Sequence, residues 1–357
     1  MKIKDAAAII ESYAPEAAAM QSDNSGLQAG DPENELSGVM LCVDVTEFVI
    51  EEALKKGANL IISHHPFLFS AVRKISRAVP KGKMIWDIIQ NNLSVYSSHT
   101  CMDVAQNGLN AYLADQLALS DRRFLGDWAE NFLKMQVSVP APHFEEFRNA
   151  LVSSGFIQSG TVMNMHALKS ERTDVMPGDE AGLFEPEYII FEGICLKSAS
   201  AGLIDAIYRY HPQQNPSFSF SDTVSAGTSS GIGICGDLPE EVSSEEFIET
   251  AKKIFGCSSL RVSANYKGKM IKRAAVCSGS GAFLADSAGR NGADVFITSD
   301  TKMPDFLAAC ENDIILISPT HFESEYCFVS IINNILLGKI GDVPIYISEM
   351  CDTEVII

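Results

Sequence analysis

Two periods alternate along the chain. Short apolar runs bounded by polar or glycine-bearing residues are separated by stretches whose apolar positions return every third or fourth residue. That is the pattern of strands alternating with helices, and it predicts an α/β chain. Ile3, Ala6, Ala7, Ile10 and Tyr13 predict a first helix over 3–14, and the Ser22–Leu27 stretch reads as turn chemistry. Val39–Val43 reads as the first central strand and Thr46 as the cap of a helix over Glu47–Lys56. Ala58–Ile62 then closes a β-α-β unit as a buried strand. A polar, basic connection leads to a helix over 84–91, a strand over Leu93–Ser98 and a helix with Leu109, Tyr112, Leu113 and Leu117 on one face.

The pattern changes near residue 131. Lys134–Val139 alternates as a strand, Pro140 breaks it, and His143–Ser153 is a helix with Phe144, Phe147 and Leu151 inward. Tyr188–Phe191, a helix around Leu203, Ala206 and Ile207, and Ser217–Phe220 repeat that logic, with a polar loop or β-arm over Lys169–Glu185 between the halves. Two strand–helix–strand halves predict a ferredoxin-like α+β insert over 131–223, within a discontinuous α/β core made of 1–130 and 224–357. Beyond Gly227 a helix over Glu245–Phe255, strands over Ile271–Cys277, Asp294–Thr298 and Ile314–Ile317, and a final long helix resume the first theme.

Composition narrows the function classes. With 46% apolar and 20% charged residues the chain is an ordinary globular protein. No run suits a membrane span and the N-terminus lacks a signal-peptide pattern, so a cytoplasmic location is expected. Nine cysteines without a CxxC pair point to reduced thiols and away from a thiolate zinc site. A net charge of −19 with no local basic patch makes nucleic acid an unfavourable partner.

Four of the seven histidines, His64, His65, His99 and His321, fall at predicted strand ends, where α/β proteins bind ligands. His64 and His65 can reach one site together only if the strand stops there, and Pro66 gives it a reason to stop. His321 and Glu325 are four apart and share a helical face, with Glu323 pointing away. Together with Asp103 these make three imidazoles and two carboxylates, a donor set suited to zinc, manganese, iron or a similar divalent ion. Five protein ligands exceed one tetrahedral site, so two metals sharing a bridge are expected. Their residual charge of about +2 would activate water and attract a phosphate-bearing substrate. His99 is assigned the catalytic role of orienter or proton shuttle. Structural readings compete: Cys101 as a nucleophile lacks a base, Ser278–Gly281 is a lone glycine turn able to offer amides to phosphate, and His143, His166 and His211 read as surface or core residues of the insert.

The motifs Asp23-Asn24 with Gly26-Leu27, Ile62-Ser63-His64-His65-Pro66, His99-Thr100 with Asp103, Ser278-Gly279-Ser280-Gly281, Ala293–Thr298, and His321 with Glu325 span nearly the whole chain. In them the chain resembles the Nif-three-like family, also named type-two GTP cyclohydrolase I homologues. The insert resembles the P-II/CutA-like domain of the longer bacterial members. The resemblance implies a two-lobed α/β core sandwiching a dinuclear metal site on His64, His65, Asp103, His321 and Glu325, in a toroidal homohexamer. It departs at Thr320, where the family often has Gly, and at Pro304, where it often has His. The function expected is a dinuclear metal-dependent hydrolase of a small, nucleotide-like substrate, for which opening of the GTP ring fits the family name. The alternative is a metal-binding regulatory or sensor protein with a ligand-responsive insert.

Overall fold

The computed structural model describes residues 1–20, 23–127, 132–153, 162–170, 188–196, 200–222, 231–350 and 352. It is a mixed α/β protein in two compact units, Met1–Asp127 with Ser229–Ile357, and Trp128–Thr228. The Lys169–Glu185 connection lies outside the described residues beyond Ser170, as do the expected junctions at 131 and 223–224.

The first unit holds two sheets. In one, Val39–Cys42, Leu60–Ser63 and Ser94–Ser97 run parallel, with Ile345–Ile347 parallel on one edge and Gly26–Ala29 antiparallel on the other. All four residues of each central strand are buried, which is why these runs carry apolar or small side chains on both faces. The register aligns Cys42 with Ser63 and Ser63 with Ser97. Three chains therefore leave the sheet side by side, carrying Asp44, His64-His65 and His99. Thr46 caps the helix Glu47–Lys56 by accepting from Val49 N, and Gly57 ends it in the left-handed region.

In the other sheet, Met270–Val276, Val295–Ile297 and Ile315–Ser318 run parallel, with Val276 aligned to Ile297 and Ile297 to Ile317. Gly231–Ser243, Ser120–Asp127 and Arg261–Val262 are antiparallel neighbours. The parallel strands deliver Ser278-Gly279, Asp300 and His321 in the same way. Leu60, Ile62, Tyr96 and the helix Cys327–Leu336 pack in one core, and Ile297, Ile317 and the helix Ser244–Phe255 in a second. Cys327 packs against both.

Differences from the sequence pattern have local causes. The polar run Ser120–Asp127 is an edge strand, so one side needs no apolar partner. Three glycines and Pro239 mask Gly231–Ser243, whose pairing is irregular between Asp237 and Val242. Gly26–Ala29, read as the end of a turn, pairs with Ser94–Ser97. The final long helix is two segments, His321–Glu325 and Cys327–Leu336. Ser324 Oγ donates to the His321 carbonyl at 2.7 Å, competing for an acceptor of the helical ladder.

The second unit is one antiparallel sheet ordered Val162–Ser170, Tyr188–Leu196, Phe132–Pro140, Ser217–Asp222, with helices Phe144–Ser153 and Ser200–Tyr210. Met135, Val137, Phe147, Leu151, Leu203 and Ile207 form its core. No helix among the described residues is long and apolar enough to cross a membrane.

Candidate metal centre

His64 and His65 follow directly on Leu60–Ser63, so the pleat no longer forces them to opposite faces. Their ring centroids lie 5.1 Å apart. His99 follows Ser94–Ser97, and its ring lies 5.3 Å from that of His64 and 5.6 Å from that of His65. His321 reaches the same place from the other sheet, 5.2 Å from His65. Glu325, one turn on, is 3% exposed. Two donor groups, His64/His65/His99 and His65/His321/Glu325, have ligand atoms within 4.8 Å of one another and share His65. Asp103 stands at the edge, its Oδ1 3.9 Å from His64 Nε2 while accepting from Ser278 Oγ at 2.9 Å.

Each ring is held from behind through Nδ1. His65 meets Asp44 Oδ1 at 2.8 Å, His321 meets Asp300 Oδ2 at 2.7 Å, and His99 meets Asp23 Oδ1 at 2.7 Å. His64 Nδ1 meets the Ser98 carbonyl at 3.0 Å. Carbonyls and carboxylates only accept, so every Nδ1 carries the hydrogen and every neutral ring turns an Nε2 lone pair inward. Those lone pairs face one another: His65 Nε2 and His321 Nε2 are 3.3 Å apart. His64 Nε2 lies fully buried, 3.5 Å from Glu325 Oε1, without hydrogen-bond geometry to any partner. Converging lone pairs and carboxylates call for protons or cations between them, and the donor set fits divalent ions.

Without cations the cluster takes protons. Burial opposes the charge on His65, but Asp44 and Glu325 outweigh it and raise its pKa from 6.5 to about 10. Burial opposes His321 as well, and Glu325 with Asp300 raises it to about 9. For Glu325 burial pushes the other way, yet His64, His321 and His65 hold it well below the carboxylate range. Burial and the Glu325 charge raise Asp103.

Asp23, Asp44 and Asp300 gain site roles that the sequence reading did not assign. The signal was available for two of them, since Asp44 and Asp300 stand just beyond strand ends, as the histidines do. Asp300 adopts φ 55°, a left-handed conformation uncommon for a non-glycine residue. Asn110 was missed: it donates to the Asp103 carbonyl at 3.0 Å and accepts from Ser278 N at 2.9 Å, tying the two strand-end loops together. Gly279 is at φ 61°, and a Cβ there would collide with Glu325 Oε1. The amides of Ser278, Gly279 and Gly281 donate to Asn110, Ser324 and Thr298, so these three are not free to cradle phosphate. Cys101 is buried with its thiol pushed up to about 11 by desolvation, which suits packing better than attack. Among the other histidines, His211 is buried in the second unit, its Nε2 meeting the Ser138 carbonyl.

At the level of families, residues 1–353 match Duf34/NIF3 (NGG1p interacting factor 3). The chain belongs to the Duf34/NIF3 family. A GTP cyclohydrolase 1 type 2 homolog of Listeria innocua is 33% identical over 303 residues, covering 82% of this chain and 81% of the relative. One from Staphylococcus epidermidis is 29% identical and covers 98% of both chains. A Bacillus cereus protein related to NIF3 superposes with a TM-score of 0.75 at 28% identity, covering 100% of this chain and 99% of the other. Within this Duf34/NIF3 chain Thr320 acts as a helix cap, accepting from Glu323 N, and Pro304 occupies the first turn of Met303–Glu311.

Proposed function

We propose that the protein is a metal-dependent hydrolase in which His64, His65, Asp103, His321 and Glu325 hold two divalent cations of the zinc, manganese or iron type. The opposition of the His65 and His321 lone pairs, each ring fixed from behind by a carboxylate, is the observation that carries the reading. Five donors exceed one tetrahedral site, which favours two cations over one. When bound, such ions supply Lewis acidity and activate water for attack.

The chain's own groups complete the chemistry. His99, with Nδ1–H pinned on Asp23, presents Nε2 to hold and pass a proton between water and leaving group. Burial would raise the Asp23 pKa, but its hydrogen bonds from His99 and Thr100 lower it, so it stays ionised and keeps the ring oriented. A cavity of about 370 Å³ in front of the cluster is lined by Phe69, Phe283, His99 and Glu325. Phe69 and Phe283 are 63% and 67% exposed, and offer flat apolar faces to a planar substrate group. With relatives named for GTP cyclohydrolase, a small nucleotide-like substrate is the best-supported class. The strand and helix order of the second unit, β-α-β-β-α-β, supports reading it as a ferredoxin-like insert.

The test is turnover of metal-loaded protein and of His99→Gln on nucleotides and phosphoesters. Metal-dependent turnover that falls at least a hundredfold in the variant, with metal content retained, supports the hydrolase. Ligand binding without reaction in wild type replaces it with a sensor.

A further inference from the structure

A second cavity, of about 670 Å³, opens beside His321 and shares Ser280, Phe283 and His321 with the one in front of the cluster. Arg261 and Lys302 line it together with Thr301, Ser318 and Thr320. The two cations share the cavity with two carboxylates, Asp300 and Asp305, and among the described residues neither cation pairs with a carboxylate. Both acids are already engaged. Asp300 Oδ2 is met by His321 Nδ1 at 2.7 Å, and Asp305 Oδ2 accepts from Lys302 N at 2.6 Å. Arg261 is held without being neutralised: Nη1 donates to the Thr301 carbonyl at 2.9 Å, and the guanidinium lies 4.8 Å from the centre of the Phe306 ring. A stacked, oriented guanidinium with spare donors is the arrangement that receives a phosphate.

We propose that Arg261 and Lys302 form a phosphate subsite for a small organic phosphate whose reacting end lies at the imidazole cluster and whose body passes Phe283. The assignment rests on the hydrolase reading for the reacting end alone. It gives the substrate two anchors, so a nucleoside phosphate fits where the bare nucleoside or orthophosphate fills only one cavity. The subsite sets affinity and orientation; no bond changes there.

The test is calorimetric titration of the full-length protein, its metal content counted, with inorganic pyrophosphate, guanosine monophosphate and guanosine. Arg261→Met and Lys302→Met keep the apolar stems and remove the charges. Each is expected to weaken the two phosphate ligands about tenfold while leaving guanosine and metal content unchanged. Arg261→Lys, which keeps the charge, is expected to recover part of the loss. Phosphate affinity unchanged in the double variant places the phosphate on the metal cluster and overturns the subsite, as does failure of wild type to bind either phosphate ligand. Phosphate affinity that wild type keeps after its metal is removed, and that the double variant loses, leaves the subsite standing even where no metal-dependent turnover is found.

Discussion

His211 in the second unit is buried and His65 in the first is half-buried, and they are satisfied in opposite ways. His211 Nε2 donates to the Ser138 carbonyl at 2.9 Å, and its Nδ1 accepts from Gln213 N at 3.1 Å. Both ring nitrogens are spent inside the protein, so the ring is a brace between strand and loop. His65 spends Nδ1 on Asp44 and turns Nε2 toward Glu325 Oε2 at 2.9 Å and His321 Nε2 at 3.3 Å. The buried carboxylates show the same contrast. Glu192 receives Gln136 Nε2 at 2.6 Å and Lys134 Nζ at 3.1 Å, whereas Glu325 faces three imidazoles. Burial alone therefore does not separate the two settings; the histidine nitrogen left buried without a hydrogen-bond partner, His64 Nε2, lies in the cluster.

The largest expected effect follows from removing the carboxylate that faces three of the imidazoles. Glu325→Gln should weaken divalent-ion binding more than about a hundredfold, read as metal content after dialysis against a competing chelator. Full retention would sink the metal centre. Next are the carboxylates behind the rings: Asp44→Asn and Asp300→Asn free the Nδ1 tautomer without touching a donor atom, and each should cost about 10–100-fold in metal affinity. An effect equal to that of Glu325→Gln would mean that they ligate directly.

Proton release distinguishes the two kinds of histidine. In the cation-free protein His65 and His321 are charged below about 10 and about 9. Loading divalent ions near pH 7.5 should therefore expel about two protons per chain, measured by titration in buffers of different ionisation enthalpy. Because both values are raised, their charged forms stabilise the cation-free fold fully below the ordinary value of 6.5, and that contribution is lost as pH rises through about 9 and then about 10. A flat melting profile across that interval, with metal removed, would contradict the assignment. The smallest effect on the site belongs to His211→Ala. It should destabilise the second unit by about 1–3 kcal/mol, followed by denaturant titration, while metal content stays at the wild-type value.

Much of this was legible as pattern. Apolar runs such as Leu60–Ser63 announce themselves because strands buried on both faces admit little else, and the histidines follow because a parallel sheet presents its ligands where strands end. Two strands were not legible: Ser120–Asp127 is a polar edge strand, and Gly231–Ser243, inside the sheet, is broken by glycine and proline where its pairing is irregular. Asp44 and Asp300 obeyed the same strand-end rule as the histidines. An aspartate after a strand has many ordinary uses in turns, and only the ring nitrogen opposite it reveals its role.

The sequence by itself determined which side chains were available and at which strand ends they would emerge, because period and breakers are local properties of the chain. Tertiary structure alone decided that His65 meets His321, 256 positions away. It also decided which nitrogen of each ring points inward and that Arg261 and Lys302 line one cavity with His321. Those facts depend on how two sheets pack and how loops are tied by residues such as Asn110, and no spacing along the chain encodes them.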